Sequence, residues 1–127
     1  MKRLISIALV VLFLASGLAF AEQKGKICVA TKGKSSAAAV SDKAGLAPYF
    51  LIFDGKGKMA EAIENPFKDK EGAGKSVAEL LKNKGVTIIV AEEFGGQIGE
   101  VMKGKGIKAV SFKGSAVEAV KQVLQFK

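Results

Sequence analysis

The chain has 127 residues, with 20 Lys and Arg against 12 Asp and Glu, one Cys, eight Phe, and neither His nor Trp. That length suits one domain rather than two, and an apolar share of 49% is too high for a disordered chain. The lack of His removes Ser-His-Asp and Cys-His nucleophile pairs, and one Cys excludes an intrachain disulfide or an all-cysteine metal site within one chain.

Lys2 and Arg3 open the chain, Leu4 to Phe20 runs without a charge, and Ala19-Phe20-Ala21 puts small residues at the −3 and −1 positions of a cleavage site. This is the layout of a secretory signal peptide, residues 1–21, cut before Glu22-Gln23-Lys24. The competing reading is an uncleaved anchor, because about 17 apolar residues reach the lower limit of a spanning helix. Gly25-Lys26-Ile27 ahead of Cys28 is no lipobox. Cleavage predicts a periplasmic or secreted domain, residues 22–127, that no longer contacts the membrane. It keeps 18 Lys and all 12 acids, a net charge of +6 that favours anionic partners. Its lysines are dispersed among Gly and acids and Arg3 is the single Arg, which argues for a solvated basic surface and against a nucleic-acid groove.

Lys26 to Thr31 reads as a strand buried on both faces. Lys32 to Ala47 has no period and reads as a long loop closed by Pro48. Tyr49 to Asp54 is aromatic and β-branched, Gly55-Lys56-Gly57 is a turn, and Lys58 to Glu64 returns as a hairpin partner. Asn65-Pro66 stops it. A helix is expected from Gly74 or Lys75 to Lys84, with Gly85 as its stop, then a buried strand Val86 to Ala91. A second helix spans Gly95 or Gly96 to Lys103, and Ile107 to Phe112 is the last strand. Ser115 and Glu118 form a capping box for a final helix whose apolar stripe is Val117, Val120, Val123 and Leu124.

The order β-β-β-α-β-α-β-α predicts a mixed sheet with helices over it. The first and fourth strands are the most apolar and belong in the middle. Side by side and parallel, they create a topological switch point whose crevice opens at their carboxyl ends. Thr31 to Lys34 and Glu92 to Gly96 would border it.

Three features carry candidate chemistry. Gly72-Ala73-Gly74-Lys75-Ser76 resembles the end of a phosphate-binding loop, but Asp69 stands where its first Gly belongs. What remains is a glycine-rich helix start whose free N–H groups suit an anion, or simply a flexible one. Glu92 and Glu93 are adjacent on a strand end, so they point apart; negative charge before a helix is stabilising in itself. Cys28 reads as a small buried hydrophobe or as a soft thiolate ligand for molybdenum, copper or iron, completed by Met59, Met102 or a second chain.

Lys26-Ile27-Cys28-Val29-Ala30-Thr31, Val40-Ser41, Ala47-Pro48-Tyr49-Phe50-Leu51-Ile52-Phe53-Asp54, Ile63-Glu64-Asn65-Pro66, Gly72-Ala73-Gly74 and Phe94-Gly95 occur in order. In this the chain resembles the dinitrogenase iron–molybdenum cofactor biosynthesis family over essentially all of residues 22–127. The resemblance implies a ribonuclease H-like α/β fold with a five-stranded mixed sheet. It also implies non-enzymatic binding or carriage of a metal–sulfur cluster, as in nitrogenase-cofactor carriers and the molybdenum–copper orange protein. Where the family commonly has His-Phe-Gly-Arg, this chain has Lys43-Ala44-Gly45-Leu46, so Gly45 is kept and the His is not. Glu92 and Glu93 stand where small or neutral residues are more usual.

With that ligand missing, Lys32, Lys34, Lys43 and helix-end N–H groups offer an outer-shell mode of holding an anionic molybdenum-, iron- or copper–sulfur species. The expected site is Thr31, Lys32, Lys34, Lys43, Gly45, Gly72, Gly74, Phe94 and Gly95, with Cys28 as the candidate metal ligand. The alternative is a metal-free interaction module, binding another protein or itself as a dimer. A hydrolase using Asp54, Glu92 and Glu93 ranks third, since no carboxylate in the first strand completes a two-metal cluster.

Overall fold

The computed structural model describes residues 25–70 and 72–125; the segment read as a signal peptide lies outside them. Five strands form one sheet: β1 (Lys26–Thr31), β2 (Tyr49–Phe53), β3 (Met59–Glu64), β4 (Val86–Ala91) and β5 (Lys108–Ser111). Their spatial order is β3-β2-β1-β4-β5. β2 lies antiparallel to both β1 and β3, while β4 lies parallel to both β1 and β5. The two most apolar strands therefore hold the inner positions expected of them, because only there does neither face meet water. This is the five-stranded mixed α/β architecture that the resemblance implies.

Alternation along the strands divides the core in two. Cys28, Ala30, Phe50, Ile52, Ile89 and Ala91 pack on one face, beneath α1 (Gly74–Asn83) and α2 (Gly96–Gly104). Ile27, Val29, Leu51, Phe53 and Val90 pack on the other, beneath α3 (Ala116–Gln125). α1 contributes Val77, Ala78 and Leu81 to the first layer; cutting fully buried Leu81 to Ala would cost about 2–5 kcal/mol. Gly85 and Gly106, at φ +84° and +78°, end α1 and α2 in a conformation that L side chains resist.

One stripe differs from expectation. α3 buries Ala116, Ala119, Val120 and Val123, whereas Val117 is 38% exposed. Ala116 and Ala119, both 0% exposed, take inward positions, so the buried arc of α3 runs through them and passes Val117 by.

The loop after β1, aperiodic in sequence, is pinned by hydrogen bonds along much of its length. The Ser41 N–H donates to the Ala30 carbonyl at 2.7 Å, and the Glu92 and Glu93 N–H groups donate to Ser41 and Asp42 at 2.9 and 3.0 Å. Residues 40–43 thus run between the ends of β1 and β4, with bridges Thr31–Val40 and Lys43–Glu93. The crevice expected at the switch point is filled by the chain's own backbone.

Candidate functional site

Filling the crevice moves the open space to the side of the sheet under α1 and α2. α1 ends just before β4 begins and α2 starts just after β4 ends, so both helices run against β4 and bring their N-termini to the same end. A cavity of about 640 Å³ opens between them. One wall is Lys43 to Leu46; a second is Lys70 with Gly72 to Lys75; the third is α2 with the residues before it, Glu93, Gly95, Gln97, Ile98, Glu100 and Val101.

Two glycines let these walls meet. A Cβ on Gly45 would come within 3.1 Å of Ile98 Cδ1, and one on Gly74 within 3.4 Å of Ile98 Cβ. Ile98 therefore forms a buried floor wedged between the loop and α1. Asn65, 1% exposed, holds the loop from below. Its Nδ2 donates to the carbonyls of Gly45 and Ala47 at 3.0 and 2.9 Å, and its Oδ1 accepts the Phe67 N–H at 2.8 Å.

The electrostatics are those of two open helix ends. Neither α1 nor α2 has a side-chain cap or an acid in its first turn. The first intrahelical bonds run from Val77 N–H to Ala73 and from Gly99 N–H to Gly95, so the N–H groups before them have no acceptor within their helix. α3 is the contrast: Ser115 N–H donates to Glu118 Oε1 at 3.1 Å and Glu118 N–H to Ser115 Oγ at 3.3 Å, the capping box read from the sequence. Lys43, Lys70 and Lys75 add positive charge to the cavity, and Glu93 and Glu100 offset part of it. Among the described residues, none of those three lysines lies within 4.0 Å of a carboxylate.

Of the residues expected from the sequence, Lys43, Gly45, Gly72, Gly74 and Gly95 line this cavity. The others do not. Thr31 is fully buried, with its hydroxyl donated to the Gly33 carbonyl at 2.8 Å. Lys32 is turned back by its N–H bond to Ala39, and Lys34 lies toward Glu64, whose carboxyl is held below its ordinary value first by Lys68 and then, weakly, by Lys34. Phe94 is half-buried against the core. Thr31, Lys32 and Lys34 share one physical reason: the loop doubles back into the crevice, taking the end of β1 away from open space.

Cys28 sits in the core at 0% exposure, and burial pushes its thiol far above the ordinary value. A thiolate ligand is the charged form, which that environment disfavours. Met102 is buried in the same layer and Met59 is exposed on the edge strand β3. Among the described residues, no three of Cys, Asp and Glu converge as a metal site. Lys70, Gln97 and Glu100 carry no signal of their own in the sequence, Ile98 reads only as part of its helix's apolar face, and Lys75 only as part of the glycine motif. Nothing in local spacing marks them as a site, because the cavity joins three separate segments, residues 43–46, 70–75 and 93–101.

The sequence model of a family described as dinitrogenase iron–molybdenum cofactor matches residues 25–125. A Thermotoga protein solved by NMR, provisionally described as NifB, is 30% identical, with a TM-score of 0.70 over 80% of this chain and 88% of that one. The apo form of the orange protein from Desulfovibrio gigas is 23% identical, with a TM-score of 0.74 over 80% and 88%. A protein of Methanocaldococcus jannaschii, provisionally described as a dinitrogenase, is 14% identical, with a TM-score of 0.58 over 80% and 89%. Among proteins of curated function none matches.

Proposed function

From the chain's place in the dinitrogenase iron–molybdenum cofactor family, to which it belongs, we propose that it binds and carries an anionic metal–sulfur species, without catalysis, in the cell envelope. The single observation that carries this reading is the convergence of two uncapped helix N-termini on one cavity. Backbone N–H groups and the helix dipoles favour negative charge there, and Lys43, Lys70 and Lys75 add to it. The donor set lacks a soft ligand at the cavity surface, so the cargo is held through its outer sulfur or oxygen atoms and not by direct bonds to the metal. Molybdenum–sulfur anions suit such a mode, being charged and stable without a protein ligand.

The envelope location rests on residues 1–21, with their basic start, apolar run and Ala-x-Ala end. Sequencing the N-terminus of the protein from its own cells should find Glu22; Met1 would sink the export of a processed domain.

Tetrathiomolybdate is the probe, titrated under anaerobic conditions and followed by visible absorption. Saturable uptake near one equivalent is expected, lost when Lys43, Lys70 and Lys75 are all changed to Gln. Lys32→Gln with Lys34→Gln should leave it intact. Uptake indifferent to the cavity variant would overturn the site. A second reading, a metal-free interaction module, draws on the sealed position of Cys28. Complete failure to take up the probe would favour it.

A further inference from the structure

The end of the molecule opposite the cavity carries an uneven share of the charge. Lys26 and Lys108 begin β1 and β5. Lys82, Lys84, Lys103 and Lys105 cluster at the C-terminal ends of α1 and α2, where Lys82 Nζ donates to the Lys105 carbonyl at 3.3 Å. Lys56 and Lys58 lie in the β2–β3 hairpin, which the pairing of Phe53 with Ile27 and Met59 places at this same end. Among the described residues, three carboxylates stand against these eight lysines. Asp54 is engaged by the Lys56 and Lys58 N–H groups at 2.8 and 2.9 Å, Glu61 is paired with Lys84 at 2.8 Å, and Glu79 lies 4.0 Å from Lys105. The cavity end is balanced by comparison: Lys68 pairs with Glu64 at 2.6 Å, and Asp42, Asp69, Glu92, Glu93, Glu100 and Glu118 all lie there.

Helix dipoles account for part of this. Cations in the last turns of α1 and α2 offset the exposed carbonyls. They do not account for Lys56 and Lys58 in a hairpin or for Lys26 and Lys108 at strand starts.

We propose that this lysine-rich pole docks on an anionic phospholipid surface, with the cavity turned away from it. Two observations select a membrane over a nucleic acid. Gly25, just before β1, lies at this pole, and the uncharged run Leu4–Phe20 ends only a few residues before it. In the chain, this pole is therefore the part of the folded domain next to the segment read as membrane-targeting. The pole's cations are also all Lys, with no Arg after Arg3 and, among the described residues, no aromatic cluster for base stacking. Each Lys near an anionic leaflet adds a modest attraction that salt screens. The sequence expects no membrane contact once residues 1–21 are removed; the pole supplies one that outlasts removal, and it depends on nothing the cavity takes.

The test is co-sedimentation of the protein, as isolated from its own cells, with vesicles of mixed phosphatidylglycerol and phosphatidylethanolamine, and with vesicles of phosphatidylcholine alone. One variant changes Lys82, Lys84, Lys103, Lys105 and Lys108 to Gln. A second, of equal net charge, changes Lys32, Lys34, Lys43, Lys70 and Lys75 to Gln. Wild type and the second variant should bind the anionic vesicles at about 50 mM salt and leave them near 0.5 M. The first should bind at least about tenfold more weakly. If it fails to fold, Lys56→Glu with Lys58→Glu probes the same pole without touching a helix, and the same loss is expected. Equal weakening of the two Gln variants would overturn the proposal, as would equal binding to phosphatidylcholine. Tighter binding of duplex DNA through the same pole would assign the surface to nucleic acid instead.

Discussion

The side-chain amide of Asn65 donates to the Ala47 carbonyl at 2.9 Å, joining residues 18 apart in sequence. With the bond to Gly45 and the bond from Phe67, one buried side chain fixes both the Lys43–Leu46 wall of the cavity and the turn that leads toward α1. The Asn-Pro pair in the sequence reads as a strand stop, and it is one. The amide does more, because three backbone groups near the core have no other partner drawn so close.

Asn65→Ala should therefore lose about 2–4 kcal/mol of stability, since it strands a buried carbonyl, a half-buried carbonyl and an N–H as well as losing three bonds. Asn65→Asp should behave similarly, because a carboxylate cannot donate to two carbonyls. Urea unfolding measures this. A loss below about 1 kcal/mol would mean that the loop is held from elsewhere.

Gly45 and Ile98 form a size-matched pair. Gly45→Ala places a methyl 3.1 Å from Ile98 Cδ1, a contact that must give way, and Ile98→Val removes that very atom. Unfolding of the two single variants and the double should reveal a favourable coupling of about 0.5 kcal/mol or more. Strict additivity would place Ile98 away from the loop.

The open N-terminus of α2 offers a way to separate stability from binding. Gly95 stands at the cap position with φ −59° and ψ 159°, an extended backbone suited to a capping residue, and a Cβ there meets nothing within 4 Å. Gly95→Asp should gain a few tenths of a kcal/mol by accepting the free N–H groups. The same change should abolish tetrathiomolybdate uptake, by occupying the donors and adding negative charge. Glu93→Gln and Glu100→Gln should each tighten uptake, roughly threefold. If Gly95→Asp stabilises the fold and uptake is undiminished, the anion does not use α2.

Cys28 links pH to stability in a defined direction. Burial raises the folded thiol's pKa, so above about pH 8.5 the unfolded chain loses a proton that the folded one keeps. The contribution is fully present below that pH and declines by about 1.4 kcal/mol per unit above it. Cys28→Ala should flatten this slope relative to wild type in urea midpoints taken from pH 7 to 10. The native thiol should also resist Ellman's reagent and react once unfolded. Rapid native reaction would show a core more open than the structure, and would reopen Cys28 as a ligand.

α3 provides the last check. Ser115→Ala removes one half of the capping box and should cost about 1 kcal/mol by thermal or urea unfolding. A negligible cost would imply that packing of Ala116, Ala119 and Val120 alone sets the helix start.

The sequence by itself determined the elements, their order and the inner places of β1 and β4. Those follow from local periodicity, from glycine stops such as Gly85, and from the need of two-sided apolar strands to avoid water. It also determined that a glycine-rich helix start at Gly72-Ala73-Gly74 would leave N–H groups free. It did not reveal Val117 as exposed, because Ala116 and Ala119, which hold inward positions on α3, carry almost no hydropathy signal. Only the tertiary structure decided where the open cavity lies. Residues 40–43 hydrogen-bond into the crevice between β1 and β4, so Thr31, Lys32 and Lys34 are turned from it, and the open space forms beneath the N-termini of α1 and α2. That outcome rests on backbone donors and acceptors finding partners across long stretches of chain. Every residue carries those groups alike, so no spacing of side chains announces which of them will meet.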